Sequence, residues 1–218
     1  MQIEHLWQQI LPANVCLSVC SLKDHSLPLT QAELDSIGLV GTRRLAEMAS
    51  GRMMAKTALA SMHIDDVDIV KDKLTGAPIW PKDIVGSITH STDLSNSHVA
   101  AVVAKKIEIS SLGIDAELAG DIHHSLWEMF LSQDELSWVN SKSNAEKSLL
   151  VRKIWGLKES AIKASGQLDM LCWRVNPTIS DSDSFELIFG GGERGNSFVG
   201  KAICHDNITL AAVYPEYN

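Results

Sequence analysis

No apolar run in the 218-residue chain approaches the ~20 residues that a bilayer-crossing helix needs. The opening Met1-Gln2-Ile3-Glu4-His5 lacks the basic start and apolar stretch of a secretory leader. Both absences lead to the expectation of a cytoplasmic protein without a transmembrane segment. Positive charge is also scarce. Lys and Arg number 19 against 27 Asp and Glu, a formal net charge of −8. That balance excludes broad, non-specific nucleic-acid binding, which needs a basic surface to displace phosphate counterions. It leaves room for a small anionic ligand, whose binding depends on the local field. The four cysteines, Cys16, Cys20, Cys172 and Cys204, form no CxxC pair. No His pair at zinc-finger spacing completes a site around them, so reduced thiols are expected.

What remains is an ordinary globular composition, 45% apolar and 21% charged. The length allows one large domain or two halves of about 100 residues. Apolar residues Leu45, Met48, Ala49, Met53, Ala55 and Leu59 recur at three and four, which predicts a helix over Arg43–Met62. Leu74-Thr75-Gly76-Ala77-Pro78 has the chemistry of a turn, and Pro81 and Gly86 bracket an irregular stretch. His98–Ala104 is a continuous β-leaning run, best placed as a buried strand, with a short strand following over Ser111–Glu117. Leu126–Val139 has a helical pattern with Ser132 as a cap, and a long helix is expected over Ala145–Ser165, stopped by Gly166. Strands are expected at Phe185–Phe189, Phe198–Cys204 and Ile208–Tyr214, with Gly190-Gly191-Gly192 as a turn. A basic helix followed by an Ala/Val strand occurs once in each half of the chain. This echo predicts an α+β fold of two similar halves, 1–106 and 107–218, with a ligand site at their seam. Two internal halves also make a monomer the expected state.

Three constellations carry chemistry. In Gly113-Ile114-Asp115-Ala116-Glu117, residues two apart share a strand face, so Asp115 and Glu117 lie side by side. Two adjacent anions call for a cation, and Mg²⁺, which takes oxygen ligands, water and phosphate, is the natural one. Alone, the pair is equally a solvated strand end. On the Ala145–Ser165 helix, Trp155, Glu159 and Lys163 are i,i+4 neighbours, opposite an apolar stripe of Leu150, Ile154, Leu157 and Ala161. Glu159 can therefore add a third carboxylate, with Lys158 and Lys163 beside it. Three carboxylates flanked by lysines suit a metal-bound pyrophosphate. The plainer alternative is a solvated Glu–Lys helix face. The third is Gly86-Ser87-Ile88-Thr89-His90-Ser91, a Gly-led turn whose hydroxyls and imidazole can donate to a phosphate oxygen.

In their order and joint occurrence these segments resemble the Sfp-type 4′-phosphopantetheinyl transferases, within them the branch typified by enterobactin synthetase component D. The resemblance runs from about Arg43 to Gly166. It takes in Arg43-Arg44 with Gly51-Arg52, Gly76-Ala77-Pro78-Ile79-Trp80-Pro81, the Gly86–Ser91 segment, Gly113–Glu117 and Trp155–Gly166. It implies a pseudo-twofold α+β fold with coenzyme A between the halves. It implies transfer of the phosphopantetheine arm to a serine of an apo acyl, peptidyl or aryl carrier protein, with release of 3′,5′-ADP, in siderophore or other secondary-metabolite synthesis. It further implies that Asp115, Glu117 and Glu159 surround Mg²⁺ and that Lys163, with Lys158 nearby, contacts the phosphates. Ser87, Thr89 and His90 fall near the 3′-phosphoadenosine end, and Arg44 and Arg52 hold nucleotide phosphates. Whether Arg43 or Arg44 faces the ligand stays open, as does whether Glu159 is the general base or a metal ligand only.

The amphipathic Trp127–Trp138 stretch, with Met129, Phe130 and Leu131, is either a carrier-docking surface or core. Two other functions would use the same residues: hydrolysis of the coenzyme A pyrophosphate, and non-catalytic binding of coenzyme A or a carrier.

Overall fold

The computed structural model describes residues 3–21, 29–91, 97–118, 120–178, 181–190 and 197–215. In chain order the elements are α1 (Ile3–Ile10), β1 (Cys16–Ser21), α2 (Gln31–Ile37), α3 (Thr42–Ala60), β2 (Ile84–Ser91), β3 (His98–Lys105) and β4 (Gly113–Leu118). After a 3₁₀ turn at His124–Met129 come α4 (Gln133–Asn140) and α5 (Asn144–Ser165). A second 3₁₀ turn at Met170–Cys172 precedes β5 (Trp173–Pro177), β6 (Ser184–Phe189), β7 (Ser197–His205) and β8 (Ile208–Pro215). The fold is α+β, with two antiparallel sheets ordered β1-β3-β2 and β4-β8-β7-β6-β5.

The side-chain period of the strands explains how the layers stack. On β3, Val99, Ala101 and Val103 pack against Met53, Ala55, Ala58 and Leu59 of α3. The alternate residues Ala100, Val102 and Ala104 join Ile114, Ala116, Leu210 and Ala212 in a core shared between the sheets. Strand β8 repeats the arrangement, with Ala211 and Val213 turned to Leu157 and Ala161 of α5. Both strands are apolar throughout because both of their faces are covered. The layers therefore run α3, first sheet, shared core, second sheet, α5. Leu6, Trp7 and Ile10 of α1 add to the shared core.

Two sequence expectations need correction. The Gly86–Ser91 segment is strand, not turn: β2 pairs antiparallel with β3 from Ile84↔Lys105 to Ser91↔His98. Gly86 is required there by close approach, since a Cβ would sit 2.6 Å from the Val102 carbonyl oxygen and 2.8 Å from the Trp80 ring. The helical stretch expected over Leu126–Val139 is a 3₁₀ turn followed by α4, with Ser132 capping α4 as expected. Ser132 and Glu135 form a capping box, with each side chain bonded to the other's backbone amide, which starts α4 afresh. The chain turns inward just before that cap, so Phe130 and Leu131 are buried in the core under α5 rather than offered to a partner. Of the glycine run, Gly190 closes β6 at φ 82°, while Gly191 and Gly192 lie outside the described residues.

α5 crosses close over β4 at Gly113. A Cβ on Gly113 would lie 1.8 Å from the Ser160 carbonyl oxygen. Backbone stands on both sides of that contact, so no rotamer change relieves it. Gly113→Ala is expected to lower unfolding free energy by about 3 kcal/mol, measured by urea denaturation; an unchanged midpoint would contradict the crossing.

Candidate active site

A cavity of about 740 Å³ opens between the two layers of the fold. One wall is α3 with β2, bringing Arg44, Glu47, Arg52 and His90. The other is β4 with α5, bringing Asp115, Glu117, Glu159 and Lys163. The Leu74–Pro78 turn and Trp80 complete the α3 side.

The carboxylates are presented as the strand and helix periods require. Ile114 and Ala116 face the shared core, so Asp115 and Glu117 face the cleft. On α5, Leu150, Ile154, Leu157 and Ala161 seat the helix in the core, which turns Glu159 and Lys163 to the same cleft. Asp115 is the hub. Its Oδ1 accepts from Lys163 Nζ at 2.6 Å and from Thr89 Oγ1 at 3.2 Å. Lys163 Nζ also donates to the Ile114 carbonyl at 3.1 Å. The other oxygen of Asp115, Oδ2, is buried without a hydrogen-bond partner. Trp155 Nε1 donates to Glu117 Oε1 at 3.1 Å and so fixes the second carboxylate.

Negative charge is in excess here. Burial raises the Glu117 pKa first, with the Asp115 charge adding to it. Glu159 is raised in the same way, by burial and then by Asp115. Lys163 opposes both shifts and is outweighed. An all-oxygen donor set with an unpartnered buried carboxylate oxygen and two carboxyls that resist ionisation fits a hard divalent cation. Among the described residues no three acidic, His or Cys side chains close into a cage.

The opposite end is cationic and carries a residue that the sequence reading passed over. Glu47 Oε1 accepts from Arg43 Nε at 3.3 Å, and its Oε2 from Arg44 Nη1 at 3.1 Å. Burial disfavours the charge of Glu47, but Arg44, His90 and Arg43 hold its carboxyl below the ordinary range. The Arg-Arg-x-x-Glu spacing was the available signal. Arg44 lines the cleft, whereas Arg43 lies in solvent with its side chain 73% exposed. Arg52 is buried in the wall, Nε donating to the Ile69 carbonyl at 3.2 Å. The His90 pKa is depressed by burial and then by Arg44.

One expected phosphate contact is corrected. Lys158 is fully buried beneath α5, with Nζ 2.7 Å from Glu135 Oε2 and 2.6 Å from the Phe130 carbonyl. One step along a helix is a turn of about 100°, which carries Lys158 into the core while Glu159 faces the cleft. Ser87 and Thr89 border the cleft, as expected, and their hydroxyls also accept from the Ile114 and Ala116 amides at 3.1 and 3.0 Å. They hold β4 in place.

Comparison with known proteins agrees with this geometry. Residues 39–104 match the 4′-phosphopantetheinyl transferase N-terminal domain, and residues 111–203 match the 4′-phosphopantetheinyl transferase superfamily. The 4′-phosphopantetheinyl transferase Npt of Nocardia iowensis is 31% identical over 157 residues, which is 72% of this chain and 68% of that protein. Svp of Streptomyces mobaraensis, also a 4′-phosphopantetheinyl transferase, is 28% identical over 182 residues, 78% of this chain and 72% of that protein. PptT of Mycobacterium tuberculosis, of the same name, is 33% identical over 122 residues, 54% of this chain and 51% of that protein.

The Lys158–Glu135 pair yields a prediction. Lys158→Met leaves the Glu135 carboxylate buried without its cation and should cost about 3–5 kcal/mol of stability, measured by chemical denaturation. A variant of unchanged stability but weakened coenzyme A binding would return Lys158 to the phosphates.

Proposed function

The chain belongs to the 4′-phosphopantetheinyl transferase superfamily, whose members transfer phosphopantetheine from coenzyme A to carrier proteins, and we propose that it performs this transfer in the cleft between α3–β2 and β4–α5. The observation that carries the assignment is the convergence of Asp115, Glu117 and Glu159 beside Lys163, opposite the cationic wall of Arg44, Arg52 and His90. Coenzyme A has matching chemistry, a pyrophosphate at its centre and a phosphate monoester at the ribose. In this reading the two halves, 1–106 and 107–218, each supply one wall. Arg44, Arg52 and His90 hold the nucleotide end, and Lys163 meets the pyrophosphate. The motifs shared with the enterobactin synthetase component D-like branch support carriers of siderophore or related secondary-metabolite assembly as clients. In this reading the working form is a cytoplasmic monomer, since one chain supplies both halves of the site. Among the described residues no helix is long and apolar enough to cross a membrane.

In the reaction, the serine hydroxyl of the carrier forms a bond to the β-phosphorus of coenzyme A. The bond from that phosphorus to the bridging oxygen breaks, and 3′,5′-ADP leaves with the electron pair. Glu159 takes the serine proton. With no cation bound, burial and the neighbouring Asp115 charge raise its carboxyl pKa. Lys163, anchored by Asp115 and the Ile114 carbonyl, presents a fixed positive charge where negative charge builds on the pyrophosphate oxygens. Asp115, Glu117 and Glu159 are the residues that would hold Mg²⁺, which supplies charge neutralisation at the pyrophosphate when bound. Trp155 orients Glu117, and Thr89 orients Asp115.

Intact-mass measurement of an apo carrier incubated with the protein, coenzyme A and Mg²⁺ tests the proposal. The carrier should gain one phosphopantetheine, and the gain should vanish with EDTA and with Glu159→Gln. Release of free phosphopantetheine from coenzyme A without a mass gain would replace transfer with hydrolysis. A gain that persists in folded Glu159→Gln would remove Glu159 from its role.

A further inference from the structure

We propose that Phe130 is a positioning residue of the metal centre: it sets the direction of the Glu117 carboxylate through the Trp155 indole, and is itself held by the buried Lys158–Glu135 pair. The proposal rests on the reading of Asp115, Glu117 and Glu159 as the residues that would hold Mg²⁺, and adds a layer behind them.

One turn of α5 clasps Phe130 at two points. Trp155 and Lys158 are three residues apart and so are neighbours on the helix surface. The Phe130 ring meets the Trp155 ring edge to face, with centroids 5.0 Å apart and planes at 86°. The Phe130 carbonyl accepts from Lys158 Nζ at 2.6 Å. From Trp155 the contacts run on to the cleft, where Nε1 donates to Glu117 Oε1 at 3.1 Å. Among the described residues the indole is the only hydrogen-bond partner of that carboxylate. Oε1 is thereby taken, and Oε2 is the oxygen left for an ion. Trp155 is only partly buried, so its ring needs a stop on the inner side, and Phe130, 1% exposed, is that stop.

The ion pair explains what fixes Phe130. Lys158 is fully buried, and burial disfavours its charge while Glu135 supports it. A buried ion pair adds little stability over apolar side chains of the same volume. What charged groups supply, and apolar groups do not, is direction. Glu135 Oε2 accepts from Lys158 Nζ at 2.7 Å and from the Ser132 amide at 2.7 Å, and Oε1 accepts from the Val175 amide at 2.8 Å. α5, the cap of α4 and β5 therefore converge on one carboxylate. A second donor of Lys158 then pins the Phe130 carbonyl, two residues before that cap. Without the ring, Trp155 loses its inner stop, and Glu117 points at an incoming ion for less of the time. Partners standing behind a metal ligand in this way commonly contribute about 10–100-fold in metal affinity.

Calorimetric titration of Mg²⁺ into the protein at saturating coenzyme A, without carrier, tests this in wild type, Phe130→Leu, Trp155→Phe and the double variant. Phe130→Leu should weaken Mg²⁺ binding about 3–10-fold, the range of one edge-to-face aromatic pair. Trp155→Phe, which removes the indole donor, should weaken it about tenfold or more. The double variant should stay within about twofold of Trp155→Phe, because Phe130 acts through the indole and the two losses do not add. Phe130→Met fills the same space with a flexible chain and should match Phe130→Leu. Wild-type Mg²⁺ affinity in either folded Phe130 variant would overturn the proposal. So would a Phe130→Leu effect that persists in full beside Trp155→Phe, since that is a loss of packing and not of orientation. Glu117→Gln is the reference. If it takes up Mg²⁺ as wild type does, Glu117 holds no ion, and the site reading fails with the proposal.

Discussion

The edge of β4 is the constraint from which the rest of the site follows. β4 is the outer strand of its sheet, so its outward amides have no strand to pair with. Buried amides left unbonded would be costly, at about 1–3 kcal/mol each. β2, an edge strand of the other sheet, meets them with side chains: Ser87 takes the Ile114 amide and Thr89 the Ala116 amide. The two sheets are thereby fixed against each other by hydroxyls instead of a continuous ladder. Thr89 does one thing more, donating to Asp115 Oδ1 while accepting from Ala116. The residue that closes the joint between the layers is also the one that aims the first carboxylate.

From that joint the polarity of the cleft follows. β4 and α5 contribute three carboxylates with Lys163 among them, and α3 and β2 contribute the arginines and His90. At the acidic end, Glu117 and Glu159 resist ionisation, and one oxygen of Asp115 has no partner. At the basic end, Arg44 Nη1 bridges His90 and Glu47. A ligand carrying a pyrophosphate and a monoester offers oxygens to both ends, and this pairing ties coenzyme A chemistry to the fold more firmly than any one residue does.

Much of this was legible in the sequence because it follows from periodicity. The two-residue strand repeat placed Asp115 and Glu117 together. The i,i+4 repeat aligned Trp155, Glu159 and Lys163. The unbroken Val99–Ala104 run announced a strand covered on both faces. The misreadings arise where tertiary partners decide. Lys158 is one position from Glu159, and only its distant partner Glu135 shows that it belongs to the core. Gly86–Ser91 looks like a turn because its glycine and hydroxyls are turn residues, yet Trp80 and Val102 demand the glycine and β4 demands the hydroxyls. For Phe130 and Leu131 the sequence leaves docking face and core equally open, and their burial under α5 decides for core. Glu47 was missed because a glutamate three residues beyond an arginine is commonplace on helices, and the arginine's other partner, His90, lies 46 residues from Arg44.

The central claim is that the Thr89 hydroxyl, shared between the β4 backbone and Asp115, builds the active site. Steady-state transfer to an apo carrier by Thr89→Ser and Thr89→Val measures it most directly. Serine keeps the hydroxyl and should keep kcat within about threefold, less than one neutral hydrogen bond. Valine keeps the shape but loses both bonds, and kcat should fall about 10–100-fold in a chain that still unfolds cooperatively. A folded Thr89→Val protein with wild-type kcat would contradict the account.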